Sequence, residues 1–156
     1  MTPVKKFVID IQELRIAVDI VVISKQEDSD YVLLMKRKYQ PYANQWAIPG
    51  GFVKNDEVLS QAALRELHEE TGLSNMANPI LIGIFDEVNR DPRKRVISVS
   101  YLVITDQLVT LNPDTQSEDN DSVGAKWVKV TEVEKPLAFD HDQILDAALK
   151  KYKEIA

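Results

Sequence analysis

A chain of 156 residues, 44% apolar and 28% charged, has the size and balance of one globular domain with a sizeable core. Its net charge of −6 argues against broad nucleic-acid binding, and no apolar run approaches the length of a membrane span. With no cysteine and two distant histidines, disulfides and thiolate metal sites are excluded and a zinc site is disfavoured; the lack of cysteine suits a reducing cytoplasm.

Residues 1–16 form a possible N-terminal arm. MTPVKKFVIDIQEL carries two lysines but no signal-peptide apolar block, and Phe7-Val8-Ile9 with Ile11 reads as an edge strand or as an arm crossing to a partner. Residues 17–23, AVDIVVI, are nearly all apolar and β-branched, the pattern of a strand buried on both faces. A turn over residues 26–30 leads to a second strand over 31–35, YVLLM. That strand runs into Lys36-Arg37-Lys38, where alternation sends Arg37 to the opposite face from its two neighbours. Tyr39, Pro41, Tyr42 and Trp46 follow in a loop, either covering the core or offering a stacking face for a base.

The chemistry concentrates in residues 46–73, WAIPGGFVKNDEVLSQAALRELHEETGL. Leu59, Ala63, Leu64 and Leu67 form the apolar stripe of a helix that Gly72 is placed to end. At about 100° per residue, Glu66 and Glu70 lie within roughly 40° of one another, on a strip bordering that stripe. Carboxylates beside a buried face lose hydration and repel one another unless a cation sits between them. Mg²⁺ and Mn²⁺ take oxygen ligands of this kind, completed by water and substrate phosphates. The same letters also describe an ordinary charged helix with i,i+4 pairs such as Arg65 with Glu69. The constrained spacing of the residues around this helix weighs against that reading.

Beyond the helix, residues 80–85 and 96–103 are strands, the second alternating cleanly and expected to show one polar face. Between them, Asn89-Arg90-Asp91-Pro92-Arg93-Lys94-Arg95 is a turn with four basic residues, a solvated hairpin tip or an anion clamp. Residues 105–125 form a long acidic loop containing Asp114, Glu118, Asp119 and Asp121. A short strand over 127–130 and a helix opening at Asp140 as N-cap, with Gln143 three residues on, complete the chain. His141 in that first turn reads as structural.

Gly51, Glu57, Arg65-Glu66-Leu67, Glu69-Glu70 and Gly72-Leu73 resemble the Nudix hydrolase signature at every fixed position. The segments WAIPGGFV, RDPR followed by VISV, and LAFDH further resemble the branch of ADP-ribose pyrophosphatases and NrtR-type ADP-ribose sensors. That resemblance implies an α/β fold, an α/β/α sandwich with a mixed β-sheet between helices, spanning residues 1–156 as a single domain. It implies Mg²⁺, or Mn²⁺ in its place, held by Glu66, Glu70, the Gly50 carbonyl and Glu69. Arg65 would orient a glutamate, and Glu57 would brace the loop and helix. Arg37, Gly51, Arg90 and Arg93 would contact substrate, and the general base would be a glutamate of the helix or an acidic residue of the later loop, Glu118, Asp119 or Asp121.

The activity implied is hydrolysis of a nucleoside diphosphate linked to another group, ADP-ribose yielding AMP and ribose 5-phosphate. The implied setting is a cytoplasmic homodimer whose partner is that small molecule, without nucleic acid or membrane. Two alternatives stand beside it: a MutT-like nucleoside triphosphate pyrophosphatase, and a non-catalytic ADP-ribose sensor of a transcriptional regulator. The intact glutamates count against the sensor, and so does the ending of these 156 residues after one terminal helix, with no winged helix.

Overall fold

The longest β-branched run becomes the centre of the sheet. A computed structural model describes residues 1–4, 11–113 and 120–155; Phe7-Val8-Ile9 lies outside them. Strand β1, Arg15–Lys25, pairs in parallel with β6, Val96–Thr105, and antiparallel with β2, Asp30–Arg37. Beyond β2 lie β3, Trp46–Ala47, and β7, Ser122–Lys129; β4, Gly50–Phe52, pairs with β1, and β5, Ile80–Phe85, closes the other edge. The sheet is therefore mixed.

Helices cover both faces. Val18, Ile20 and Val22 of β1 point to one side, where they pack with Ala62, Ala63 and Leu67 of α1, Leu59–Thr71. Val21 and Ile23 point to the other, against Ile144, Leu145 and Ala148 of α2, His141–Ile155. Burying a strand on both sides explains why its apolar residues run without alternation. This is the expected α/β/α sandwich.

Helix α1 ends as expected. Gly72 adopts φ 81°, and its N–H donates to the His68 carbonyl at 2.8 Å, the left-handed cap that glycine adopts at little cost. Opposite that cap, the Asn112 N–H donates to the Thr71 carbonyl at 2.8 Å, and a Cβ at Gly72 would crowd the Asn112 backbone.

The polar face expected on β6 is present, and it is buried: Ser98 and Ser100 are fully enclosed, their hydroxyls bonded to each other and to Asp19. Three local expectations are corrected. The acidic loop is shorter than its composition suggests, since β7 begins at Ser122 and pairs with β2. Residues 46–52 contribute two short strands rather than a plain loop. Finally, Asp140 does not cap α2 through its side chain; both carboxylate oxygens accept from Arg90.

Candidate active site

The loop between β3 and β4 meets α1 at the glycine pair. The Gly50 N–H donates to Glu70 Oε2 at 3.0 Å, and a Cβ at Gly51 would fall on the Glu66 carboxylate. Only a residue without a side chain lets the backbone come this close. Glu70 is 1% exposed, so the two glutamates do not merely border the apolar stripe as the wheel suggests. Burial pushes the Glu70 carboxyl well above the ordinary range; repulsion from Glu66 adds to this, and the Gly50 bond opposes it. Glu66 is raised to about 7, first by burial, with Arg65 opposing and Glu69 and Asp121 adding repulsion.

Arg65 organises the outer side of the same helix. Its guanidinium donates to both oxygens of Glu57, at 2.8 and 2.6 Å, and to Glu66 Oε1 at 2.8 Å, Glu69 Oε2 at 3.2 Å and the Phe52 carbonyl at 3.1 Å. These bonds raise the Arg65 guanidinium above its ordinary value, with the Glu57 pair as the leading cause. The same pair lowers Glu57 to about 2. Glu57 also accepts the Lys54 N–H at 2.8 Å, so it braces the connector between β4 and α1. The bidentate geometry makes this a rigid clamp rather than a loose surface pair.

A cavity open to solvent is lined on one side by Gly50 and Gly51. Arg37, Arg93, Asp121, Phe52 and Phe139 also line it. The Arg37 guanidinium stacks on Phe139 at 4.8 Å and is fixed by the Pro41 and Tyr39 carbonyls. Arg93 sits between Phe52 and Phe139, 5.4 and 5.8 Å from their centroids, and is paired with Asp91. Both arginines are thus pre-positioned planar cations of the kind that engage phosphate.

The basic turn is not a four-fold clamp. Arg90 reaches the cavity wall, but its side chain is 4% exposed and bonded to both oxygens of Asp140 at 2.9 and 2.7 Å. Arg95 bonds Gln12 and the Asp86 carbonyl. Among the candidate bases, Asp121 lines the cavity and its charge reaches both Glu66 and Glu70, while Glu118 and Asp119 lie outside the described residues. The aromatic loop divides: Tyr42 packs on Phe139 at 4.7 Å, Lys126 covers the Trp46 ring at 4.0 Å, and Tyr39 is exposed.

Residues 13–148 match the NUDIX domain family. The chain belongs to the Nudix family. It is 35% identical over 119 residues to an ADP-ribose pyrophosphatase of Methanocaldococcus jannaschii, covering 76% of this chain and 66% of that one. The NUDIX domain of Shewanella oneidensis NrtR, complexed with ADP ribose, superposes with a TM-score of 0.81 at 26% identity, covering 91% of this chain and 90% of that one. A bifunctional NMN adenylyltransferase/ADP ribose pyrophosphatase of Francisella tularensis, complexed with AMP and a manganese ion, gives 0.75 at 29% identity, over 90% of this chain and 42% of that one. The chain thus spans just under two thirds of the Methanocaldococcus protein and less than half of the Francisella one.

For a Nudix site, the oxygen donors fit a hard divalent cation: two desolvated, mutually repelling carboxylates stand against a turn with no room for a side chain. Among the described residues no three histidine, cysteine, aspartate or glutamate side chains come together closely enough to hold a metal ion by themselves.

Reading the sequence alone missed Asp19, Asn120 and the phenylalanine pair. Asp19 lines the cavity and is 6% exposed; its carboxylate accepts from Ser98 Oγ and faces His141 and Arg90. Burial would raise it, yet His141, Ser98 and Arg90 together hold it below the ordinary range. The signal was present: one charged letter inside AVDIVVI, and a lone buried charge demands partners. The Asn120 side chain donates to the Glu69 carbonyl at 2.6 Å, tying the residue before Asp121 to α1. That contact had no sequence signature.

Proposed function

We propose that this chain hydrolyses the diphosphate of ADP-ribose to AMP and ribose 5-phosphate with Mg²⁺, for which Mn²⁺ substitutes. The observation that carries the reading is the pairing of buried Glu70 with half-buried Glu66 against Gly50–Gly51, at the wall of a cavity that presents two stacked arginines. The identity to an ADP-ribose pyrophosphatase supports the substrate. Divalent cations, when bound, neutralise the diphosphate and lower the pKa of an attacking water.

On this reading Glu66, Glu70 and the Gly50 carbonyl would hold the ion, and Glu69 would serve as a further ligand or as a hydrogen-bond acceptor beside it. Arg65 keeps Glu66 turned towards the site, and Glu57 keeps Arg65 in place. Arg37 and Arg93 receive the negative charge of the diphosphate. Asp121 accepts the proton from the attacking water as general base, and Gly51 lets the substrate approach the backbone. Arg90 holds the wall together from behind.

The test is a panel of ADP-ribose, NADH, nucleoside triphosphates, sugar nucleotides and diphosphoinositol polyphosphates compared by kcat/KM. ADP-ribose is expected to lead; a nucleoside triphosphate or a diphosphoinositol polyphosphate in first place overturns the substrate. The likeness to the NrtR NUDIX domain favours one second reading, a sensor that binds ADP-ribose without cleaving it. Tight ADP-ribose binding with no AMP released in Mg²⁺ would establish that reading instead. The homodimer is tested by light scattering, where a monomer mass removes it.

A further inference from the structure

The backbone of Gly50 is pinched between two carboxylates. On one side its N–H donates to Glu70. On the other, β4 lies against β1 with Gly50 opposite Asp19, so close that a Cβ at Gly50 would meet Asp19 Oδ1 and the Val18 carbonyl. Two residues upstream, the Ile48 N–H donates to Nδ1 of His141 at 2.9 Å, a bond spanning 93 positions of sequence. Because Nδ1 accepts, Nε2 carries the ring hydrogen, and it faces Asp19 Oδ1 at 3.3 Å.

The chain of contacts continues behind Asp19. Ser98 Oγ donates to its other oxygen at 2.5 Å, and Arg90 stands 4.0 Å away while bonded to Asp140, the residue before His141. His141, Asp19 and Arg90 are all buried. A buried polar network of this kind gives little net stability over apolar packing, but it specifies one geometry closely. The geometry specified here is that of the Ile48-Pro49-Gly50 backbone. Pro49 adds to it, its carbonyl accepting the Ile20 N–H at 2.8 Å.

We propose that His141, oriented by Asp19, is a positioning residue for the metal site. It fixes Ile48-Pro49-Gly50 so that the Gly50 backbone and Glu70 meet in register before the ion arrives. This rests on the metal-dependent reading above. Helix α2 thereby acts on the site without supplying a ligand: among the described residues no bond joins His141 to Glu66 or Glu70.

The experiment measures Mn²⁺ affinity directly, by electron paramagnetic resonance of the free ion titrated with the full chain, alongside folding by thermal melting. His141→Asn puts an amide oxygen where Nδ1 stands and can still accept from Ile48. His141→Gln puts its amide where Nε2 stands, keeping the contact with Asp19 and leaving Ile48 without its acceptor. Removing a group that orients a metal site typically weakens binding by 10- to 100-fold, so His141→Gln is expected to weaken Mn²⁺ binding by about tenfold or more. His141→Asn is expected to stay within about threefold of wild type, since the orienting hydrogen bond survives.

Wild-type affinity in folded His141→Gln overturns the positioning role, as do equal losses in both variants or failure of both to fold, each of which would mark the ring as packing alone. A wild-type chain that binds no Mn²⁺ overturns the metal-dependent reading and this inference with it. Wild-type binding matched by His141→Gln overturns the inference alone.

Discussion

Replacing Glu70 by glutamine should stabilise the metal-free protein while removing its activity. Glu70 is buried, accepts one backbone N–H and is repelled by Glu66. A glutamine has the same shape, its oxygen can keep the Gly50 bond, and it carries no charge to desolvate. Burying an uncompensated ion costs several kcal/mol. With the Gly50 bond offsetting part of that cost, on the order of 2 kcal/mol should be recovered in EDTA near pH 7.5. For a domain of this size, that corresponds to a rise in Tm of roughly 4–8 °C. With Mg²⁺ present the ranking should invert, because wild type gains stability from the ion and the variant gains little. Turnover of ADP-ribose should fall on the order of 10³-fold, the scale of losing one electrostatic anchor of the transition state. The assay is a melting curve in EDTA and in Mg²⁺, paired with AMP release. An unchanged or lower Tm in EDTA would refute the strained-carboxylate argument, and wild-type turnover would refute the ligand assignment.

Other consequences follow from the same geometry. Gly51→Ala should displace the Glu66 carboxylate, raising the Mg²⁺ concentration needed for half-maximal activity by about tenfold or more; an unchanged Mg²⁺ dependence would show that the close approach is dispensable. In EDTA, Tm should fall as pH rises from about 4.5 to 7. The Glu66 carboxyl is raised in the fold to about 7, so the unfolded chain releases that proton first. Glu57 works in the opposite sense: lowered to about 2, its contribution is complete above about pH 4.5 and fades below that. A flat Tm from pH 5 to 7 would contradict the first of these. Arg90→Met, which leaves Asp140 and Asp19 facing a neutral side chain, should cost about 3–5 kcal/mol of stability with KM unchanged, whereas Arg93→Met, which leaves the buried Asp91 carboxylate to the Arg93 backbone N–H, should lower Tm and also raise KM; a raised KM in Arg90→Met with none in Arg93→Met would restore Arg90 as the open substrate contact. Asp121→Asn should lower kcat by about 10²–10⁴-fold with Mn²⁺ affinity retained, and an unchanged kcat would remove Asp121 as the base.

What could be read beforehand was whatever short-range periodicity and fixed spacing encode. Helix α1, its glycine cap and the Glu57–Arg65–Glu66 unit were legible because every partner lies within about three turns of helix or the connector before it. The layering was legible from the apolar run of β1 together with the resemblance. What stayed hidden depends on elements distant in sequence. Arg90 and Asp140 are 50 positions apart, and nothing within Asn89–Arg95 says that one arginine faces inward while another stacks outward between two rings. The serines of β6 read as a polar face, but alternation reports two unlike sides of a strand, not whether the polar one meets water or a buried partner. Only the parallel pairing with β1 places them beside Asp19.

The same distinction bears on how the site divides its work. Helix α1 brings the carboxylates, and it would bring them in many sequences that share only the spacing. The backbone they meet is held from the opposite layer of the sandwich, through His141 to Ile48, while Asp140 and Arg90 hold the cavity wall. The groups that face the cavity mouth, Arg37, Arg93, Phe52 and Phe139, come from neither centre of the core but from strand ends and turns. Such segments can change without disturbing α1. It follows that substitutions at the mouth should shift the substrate ranking at constant metal affinity, while those behind the wall should shift metal affinity at constant ranking. A Phe139→Ala variant that lost Mn²⁺ binding and kept its preference for ADP-ribose would show that this division of labour is wrong.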